Sequence, residues 1–249
     1  MSSLNRLVAY SNELLSINKF KDYAPNGLQV EGKAEIHRLV SGVTATMDLI
    51  EAAIEEQADV ILVHHGWFWD KENPCIVGVK KHRLQKLMYH NMSLLAYHLP
   101  LDAHPILGNN AQLAELFGFT TEGVMDSQGI GNYGRLREYM SLESFGEKIE
   151  KELHRKPLLI SGGDHAIRRI AWCSGGAQSW IHKAIELKVD AFISGEISEN
   201  TVHLAKESGI HYIAAGHHAT ERYGVKALGD HLAAKHGLAH TFIDIDNPV

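Results

Sequence analysis

A short buried strand that ends in two histidines constrains the fold most strongly. Residues 60–63 are four consecutive apolar side chains, three of them β-branched, and His64, His65 and Gly66 follow directly. Such a run is typical of a strand covered on both faces, as in a parallel sheet. Ligands in open α/β sheets gather beyond the carboxyl ends of strands. The sequence therefore places two imidazoles where binding sites form, with two solvated loop histidines as the alternative interpretation.

The sequence predicts alternating strands and helices in two similar halves. Residues 38–65 align with residues 169–196 without a gap, at a constant offset of 131, with identities such as Ile50/Ile181 and Asp59/Asp190. The pattern predicts an α/β protein with mixed or parallel sheets flanked by helices. We interpret the alignment as an internal duplication, whose two related α/β halves would share a metal cleft. Two unrelated strand–helix–strand units with a common pattern are the alternative.

One segment of the chain lacks a clear hydrophobic period. Residues 119–140 carry scattered glycines and no sustained repeat, which predicts a linker or a variable insert. We therefore expect one α/β domain from residues 1–120 plus 217–249 and a second from residues 121–216.

Composition excludes several classes of protein. A net charge of −6 over 249 residues argues against a globally basic nucleic-acid binder, and a local basic patch is the alternative that it leaves open. Cys75 and Cys173 form neither a zinc spacing nor a disulfide framework, which favours a reducing compartment. The sequence shows no signal-peptide core, and no apolar run approaches the roughly 18 residues of a membrane span. We expect a cytoplasmic protein without a membrane partner.

Further metal donors follow other predicted strands. Asp102 comes after the strand predicted at 92–97, in a loop stiffened by flanking prolines. His217 and Glu221 open a predicted helix and are four residues apart, so both project from one helical face. A turn carboxylate at Asp102, and a first-turn acid that complements the helix dipole at Glu221, are the alternatives.

Together these side chains predict a two-metal site. Three imidazoles and two carboxylates are too many for one catalytic zinc with an open position. They suit two divalent ions about 3.5–4 Å apart. Nitrogen and oxygen donors without thiolate favour Zn, Mn, Fe, Co or Ni over Cu(I). The predicted ligands are His64, His65, Asp102, His217 and Glu221.

Other residues have two interpretations each. His98 is a weak ligand, a residue that orients one, or a structural histidine. Glu196 matches His65 in the other half, so it orients a ligand, shuttles a proton, or is simply a carboxylate at a helix start. Residues 67–69, Trp-Phe-Trp, either stack a base or pack in a core or subunit contact. Residues 174–176, Ser-Gly-Gly, form either an anion-binding loop or a plain tight turn.

Several motifs resemble the NGG-interacting-factor-three-like family, whose bacterial members are called GTP cyclohydrolase type-two homologues. The matching segments are residues 23–28, 63–66, 98–105, 195–196, 216–221 and 242–245. The resemblance spans nearly the whole chain and is weakest at 119–140. It implies a dinuclear site with ligands at the five predicted positions, and a toroidal homohexamer whose sites face an internal cavity.

Two functions follow from these expectations. The first is a metal-dependent hydrolase of a small nucleotide-like substrate, in which a water activated by two ions attacks carbon or phosphorus. The second is a non-enzymatic ring that senses metal, delivers metal or binds a partner. The residues assign no catalytic group, and the family name points to GTP by resemblance alone.

Overall fold

The computed structural model describes residues 2–249 as alternating helices and strands. The helices are α1 (Leu4–Leu14), α2 (Met47–Glu55), α3 (Gly78–Tyr89), α4 (Leu99–Ala103), α5 (Asn109–Phe117), α6 (Leu142–Leu153), α7 (Ile181–Glu186), α8 (Glu199–Ser208) and α9 (His217–His236). The strands are β1 (Ser2–Ser3), β2 (Gly27–Val30), β3 (Glu35–Ile36), β4 (Arg38–Thr44), β5 (Val60–His65), β6 (Ser93–Ala96), β7 (Thr120–Val124), β8 (Asn132–Met140), β9 (Leu158–Ile160), β10 (Ile167–Trp172), β11 (Ala191–Ser194), β12 (His211–Ala214) and β13 (Ala239–Phe242). The described chain divides into two compact units: unit 1 is residues 2–101 with 224–246, and unit 2 is residues 102–223 with 247–249.

Unit 1 is built on a sheet with the strand order β13-β4-β5-β6-β2. The first four strands run parallel, and β2 pairs antiparallel with β6 at the edge. Helix α2 packs on β4 and α1 on β2. The apolar run 60–63 is fully buried, as expected of an interior parallel strand. Other buried side chains of this core are Val40, Leu49, Ile50, Ala53, Leu87 and Leu94.

Unit 2 is built on a sheet with the strand order β7-β8-β10-β11-β12-β9. The strands β10, β11 and β12 run parallel, while β7, β8 and β9 pair antiparallel with their neighbours. Helices α7 and α8 pack on β11 and β12. Buried side chains of this core include Phe117, Phe145, Ile149, Ile170, Trp172, Ile193 and Ile213. Both units confirm the predicted α/β fold with sheets flanked by helices.

A buried aspartate anchors the start of β5 in unit 1. Asp59 Oδ2 accepts hydrogen bonds from the backbone N–H groups of His37 (2.8 Å) and Arg38 (3.1 Å), and Lys33 Nζ lies 2.8 Å from Oδ1. Burial alone would raise the pKa of Asp59. The Lys33 ion pair and the two backbone donors outweigh it and hold the pKa below its ordinary value.

Asn in place of Asp59 is expected to destabilise the protein by about 1–3 kcal/mol at pH 7, because a charged acceptor of three hydrogen bonds is lost. A depressed folded-state pKa stabilises the fold above the unfolded value of about 3.9, and that contribution is lost as the pH falls through the folded value. The difference from wild type should therefore shrink below about pH 4. Urea denaturation across this range measures it, with the exposed Asp164→Asn as control. A constant difference from pH 7 to pH 3.5 would contradict the assignment.

Several strands were not predicted as such. Residues 119–140, expected to be a linker or a variable insert, contain β7 and β8, an antiparallel pair at one edge of the unit 2 sheet. Gly134 obscures an alternation in which Leu136 is buried while Arg135 and Arg137 are exposed. The edge strands β2 and β9 span four and three residues, too few to show a period.

One local expectation in unit 2 is also wrong. Asp102 lies in the short helix α4 rather than in a loop. Gly108 is the N-cap of the next helix, α5, and Asn109 and Asn110 are buried helical residues. Helix α5 ends at Gly118, which adopts the left-handed conformation at φ 67°.

Within residues 2–249, no helix combines the length and apolar character that a membrane span requires. The cytoplasmic location and the domain boundaries given above stay predictions.

Candidate metal centre

The two histidines that end β5 lie side by side in unit 1. Their ring centroids are 4.6 Å apart. His64 is fully buried, and its Nδ1 donates to the Tyr97 carbonyl at 2.9 Å. His65 Nδ1 lies 3.1 Å from Thr44 Oγ1. Because Nδ1 of each ring engages a neighbour, Nε2 is the nitrogen that suits a metal, the usual arrangement of ligating histidines.

His98 joins this pair. Its ring centroid lies 5.0 Å from that of His64 and 5.8 Å from that of His65. Ligand atoms of the three rings all lie within 4.8 Å of one another, close enough to hold one metal ion. The structure thus brings His98 to the imidazoles, although sequence alone left a purely structural role open.

Asp22 holds His98 in place, and sequence analysis missed it. Its carboxylate lies 2.9 Å from His98 Nδ1 and accepts from the Leu99 backbone N–H (3.0 Å) and Asn26 Nδ2 (2.9 Å). Burial would raise the pKa of Asp22, but the hydrogen bond and charge of His98 together with the other donors lower it. Asp22 lies in an irregular segment before β2, so no periodicity indicated it.

In unit 2, Asp102 is a buried and oriented carboxylate. Asn109 Nδ2 and Ser174 Oγ each donate to its Oδ1 at 2.9 Å. Such support fixes the direction in which a ligating carboxylate points. Ser174 follows β10, so the Ser-Gly-Gly segment contributes a residue that positions a carboxylate.

His217 lies between two carboxylates of unit 2. Its Nδ1 is 2.7 Å from Glu196 Oε1, and its Nε2 is 3.2 Å from Glu221 Oε2. Burial lowers the pKa of His217, but the hydrogen bonds and charges of Glu221 and Glu196 outweigh it and raise the pKa to about 9. Two ligands on one tetrahedral zinc lie about 3.3 Å apart, given bond lengths near 2.0–2.1 Å. The spacing of Nε2 and Oε2 therefore fits shared coordination, and Glu196 is placed to orient the ring.

The backbone at Gly175 makes room for this pair. A Cβ atom there would clash with Glu221 Oε1 and lie 3.1 Å from His217 Nε2. Gly175 also has φ +62°, the left-handed region that favours glycine. Because the loop faces the Glu221 carboxylate, a bound anion would be repelled there. The tight-turn interpretation of residues 174–176 fits, and the anion-loop interpretation does not.

Both donor groups fit divalent ions by their chemistry. Unit 1 supplies imidazole nitrogens and unit 2 supplies one imidazole and two carboxylates. Most of these side chains are held by a second partner, as is common around metals.

Comparisons with known proteins agree with this fold and these motifs. A model of the family described as Duf34/NIF3 (NGG1p interacting factor 3) matches residues 2–248. A protein from Allochromatium vinosum is 53% identical over 249 residues, covering 100% of this chain and 98% of its own length. One from Pseudomonas aeruginosa is also 53% identical, covering 99% and 98%. Both are named GTP cyclohydrolase 1 type 2 homolog.

Solved structures show the same fold. The structural-genomics protein ybgI, of unknown function, has a TM-score of 0.96 and 47% identity, with both chains covered completely. TTHA1606 from Thermus thermophilus has a TM-score of 0.91 and 34% identity, covering 99% of this chain and 100% of its own. Reduced HcgD from Methanocaldococcus jannaschii has a TM-score of 0.86 and 25% identity, covering 99% and 98%. The chain therefore belongs to the Duf34/NIF3 (NGG1p interacting factor 3) family.

Proposed function

We propose that this chain binds two divalent metal ions and uses them to hydrolyse a nucleotide-like substrate. The five ligands in this proposal are His64 and His65 of unit 1 and Asp102, His217 and Glu221 of unit 2. The single observation that carries the proposal is the cluster of His64, His65 and His98, whose ligand atoms lie within 4.8 Å of one another. The name GTP cyclohydrolase 1 type 2 homolog, carried by relatives at 53% identity, supports a nucleotide-like substrate.

Residues of the chain would prepare the site for this chemistry. Ser174 and Asn109 hold the Asp102 carboxylate, and Glu196 holds the His217 ring, so little reorganisation is required on loading. Two divalent ions would polarise a carbonyl or phosphoryl oxygen and lower the pKa of a water toward 7.

An internal duplication, also part of our proposal, explains why donors follow equivalent strands. Leu39 faces Val60 across β4 and β5, and Ile170 faces Ala191 across β10 and β11, which is the same register at the offset of 131. Asp190 Oδ2 accepts from the backbone N–H groups at 168 (2.8 Å) and 169 (2.7 Å), as Asp59 does from those at 37 and 38.

We retain the homohexameric ring as our proposal for the assembly. Several apolar side chains in and before α3 are exposed, and such patches often mark protein contacts. They are Ile76, Val77, Val79, Met88 and Tyr89.

The proposed hydrolase activity can be tested by removing bound metal with a chelator and reloading the protein with Zn, Mn, Fe, Co or Ni. We expect at least one reloaded form to hydrolyse a member of a nucleotide panel that includes GTP. Asp102→Ala should lower that rate at least about 100-fold, because a buried and oriented carboxylate is lost. The exposed Asp164→Ala, the matched control, should retain it. No turnover by any reloaded form would overturn the hydrolase and favour a non-enzymatic ring.

A further inference from the structure

We propose that Trp69 and Tyr23 form an aromatic wall that binds the planar heteroaromatic ring of the substrate beside the imidazoles of unit 1. This inference rests on the proposed function and specifies the substrate class: a compound with a nucleobase-like ring rather than a sugar phosphate or a peptide.

The wall is continuous with the imidazole cluster. The Trp69 ring centroid lies 5.1 Å from that of His98, at an interplanar angle of 83°, and 6.0 Å from that of His65. Tyr23 lies 5.0 Å from His98 and 5.7 Å from Trp69, and the Tyr23 and Trp69 planes differ by 32°. A flat ring stacked on either side chain would therefore lie beside the imidazoles.

The wall is open to solvent, unlike the neighbouring tryptophan. Tyr23 is 54% exposed and Trp69 is partly exposed. Trp67 is only 5% exposed and donates its Nε1–H to the Ala45 carbonyl at 2.9 Å, which makes it a core residue. The aromatic run at 67–69 thus divides into a structural tryptophan and one available for stacking.

The loop that carries Trp69 is firmly held. Glu72 accepts hydrogen bonds from the backbone N–H groups of Phe68 (2.9 Å) and Trp69 (3.3 Å), and Lys80 Nζ pairs with it at 3.1 Å. The backbone N–H of residue 70 donates to the Tyr23 carbonyl at 3.0 Å, which joins the two aromatic segments.

Backbone strain supports a functional role for this loop. Phe68 has φ 67°, a costly left-handed conformation for a bulky residue, and such strain concentrates at functional sites. A fixed aromatic surface loses little entropy when a ring stacks on it. Every nucleobase offers a π-face, whereas a ribose phosphate does not, so the wall selects for the ring.

Calorimetric titration of metal-loaded protein with guanosine, adenosine and ribose, which lacks only the base, tests the proposal. Guanosine or adenosine should bind, and ribose should bind at least about tenfold more weakly. Trp69→Ala should weaken nucleoside binding about tenfold, a loss of about 1.4 kcal/mol. Trp69→Phe, which keeps a ring, should remain within about threefold of wild type. Tyr139→Ala removes an exposed aromatic residue of unit 2 and should change nothing.

Bound metal, measured on the same samples, separates this inference from the proposed function. Trp69→Ala should keep the wild-type metal content, because Trp69 is not a proposed ligand. Equal nucleoside affinity in wild type and Trp69→Ala would contradict the aromatic-wall proposal. It would not affect the proposed metal site. Binding of ribose as tight as that of guanosine, or no nucleoside binding by wild type at millimolar concentration, would overturn the aromatic-wall proposal too.

Discussion

Glutamine in place of Glu221 is expected to reduce the bound metal from two ions per chain to at most one. Glu221 is only 3% exposed, and its Oε2 lies 3.2 Å from His217 Nε2. The substitution keeps the shape of the side chain but removes the charge that Glu221 would supply to a metal as the proposed ligand. Mutation of a residue that only supports a ligand lowers metal affinity about 10–100-fold. Loss of a ligand itself should therefore lower the metal affinity at least about 100-fold.

Metal content after gel filtration, measured by inductively coupled plasma mass spectrometry, checks this result. Glu207→Gln makes the same chemical change on the exposed face of α8 and should retain both ions. Circular dichroism confirms that each variant is folded. If Glu221→Gln still binds two ions, Glu221 is not a metal ligand.

Alanine in place of Gly175 is expected to disrupt the site without removing any ligand. The added Cβ would clash with Glu221 Oε1 and crowd His217 Nε2 at 3.1 Å, so both donors must shift. The left-handed φ of +62° adds about 1–2 kcal/mol of backbone strain. We expect a lower free energy of unfolding and a large loss of metal affinity.

Gly209→Ala is the matched control. Gly209 has φ +67°, but the nearest heavy atom to an added Cβ is 3.8 Å away. Both variants should lose a similar free energy of unfolding from strain, and only Gly175→Ala should also lose metal. Urea denaturation and metal analysis of the two proteins measure these effects. Equal metal content in both variants would contradict the packing of Gly175 against Glu221 and His217.

Sequence alone located the central strands and the residues that follow them. The apolar run 60–63 and its counterpart 191–194 each form an interior strand, because continuous burial on both faces leaves a clear apolar pattern. His64 and His65 end one such strand, and His217 opens the helix after another, so their placement followed from the parallel topology.

The residues that hold the candidate ligands in place could not be predicted in the same way. Asp22 and Ser174 act through side-chain contacts across long sequence separations, to His98 and to Asp102. Neither lies in a periodic segment, and polar loop residues of these types are common without such a role. The short edge strand β9 is recognisable only through its pairing with β12.

Anomalous diffraction from crystals of the metal-loaded protein tests the central claim most directly. Two peaks about 3.5–4 Å apart are predicted. Between them they should be bonded to His64, His65, Asp102, His217 and Glu221. Peaks bonded to the donors of one unit only, or to other residues, would contradict the two-metal centre.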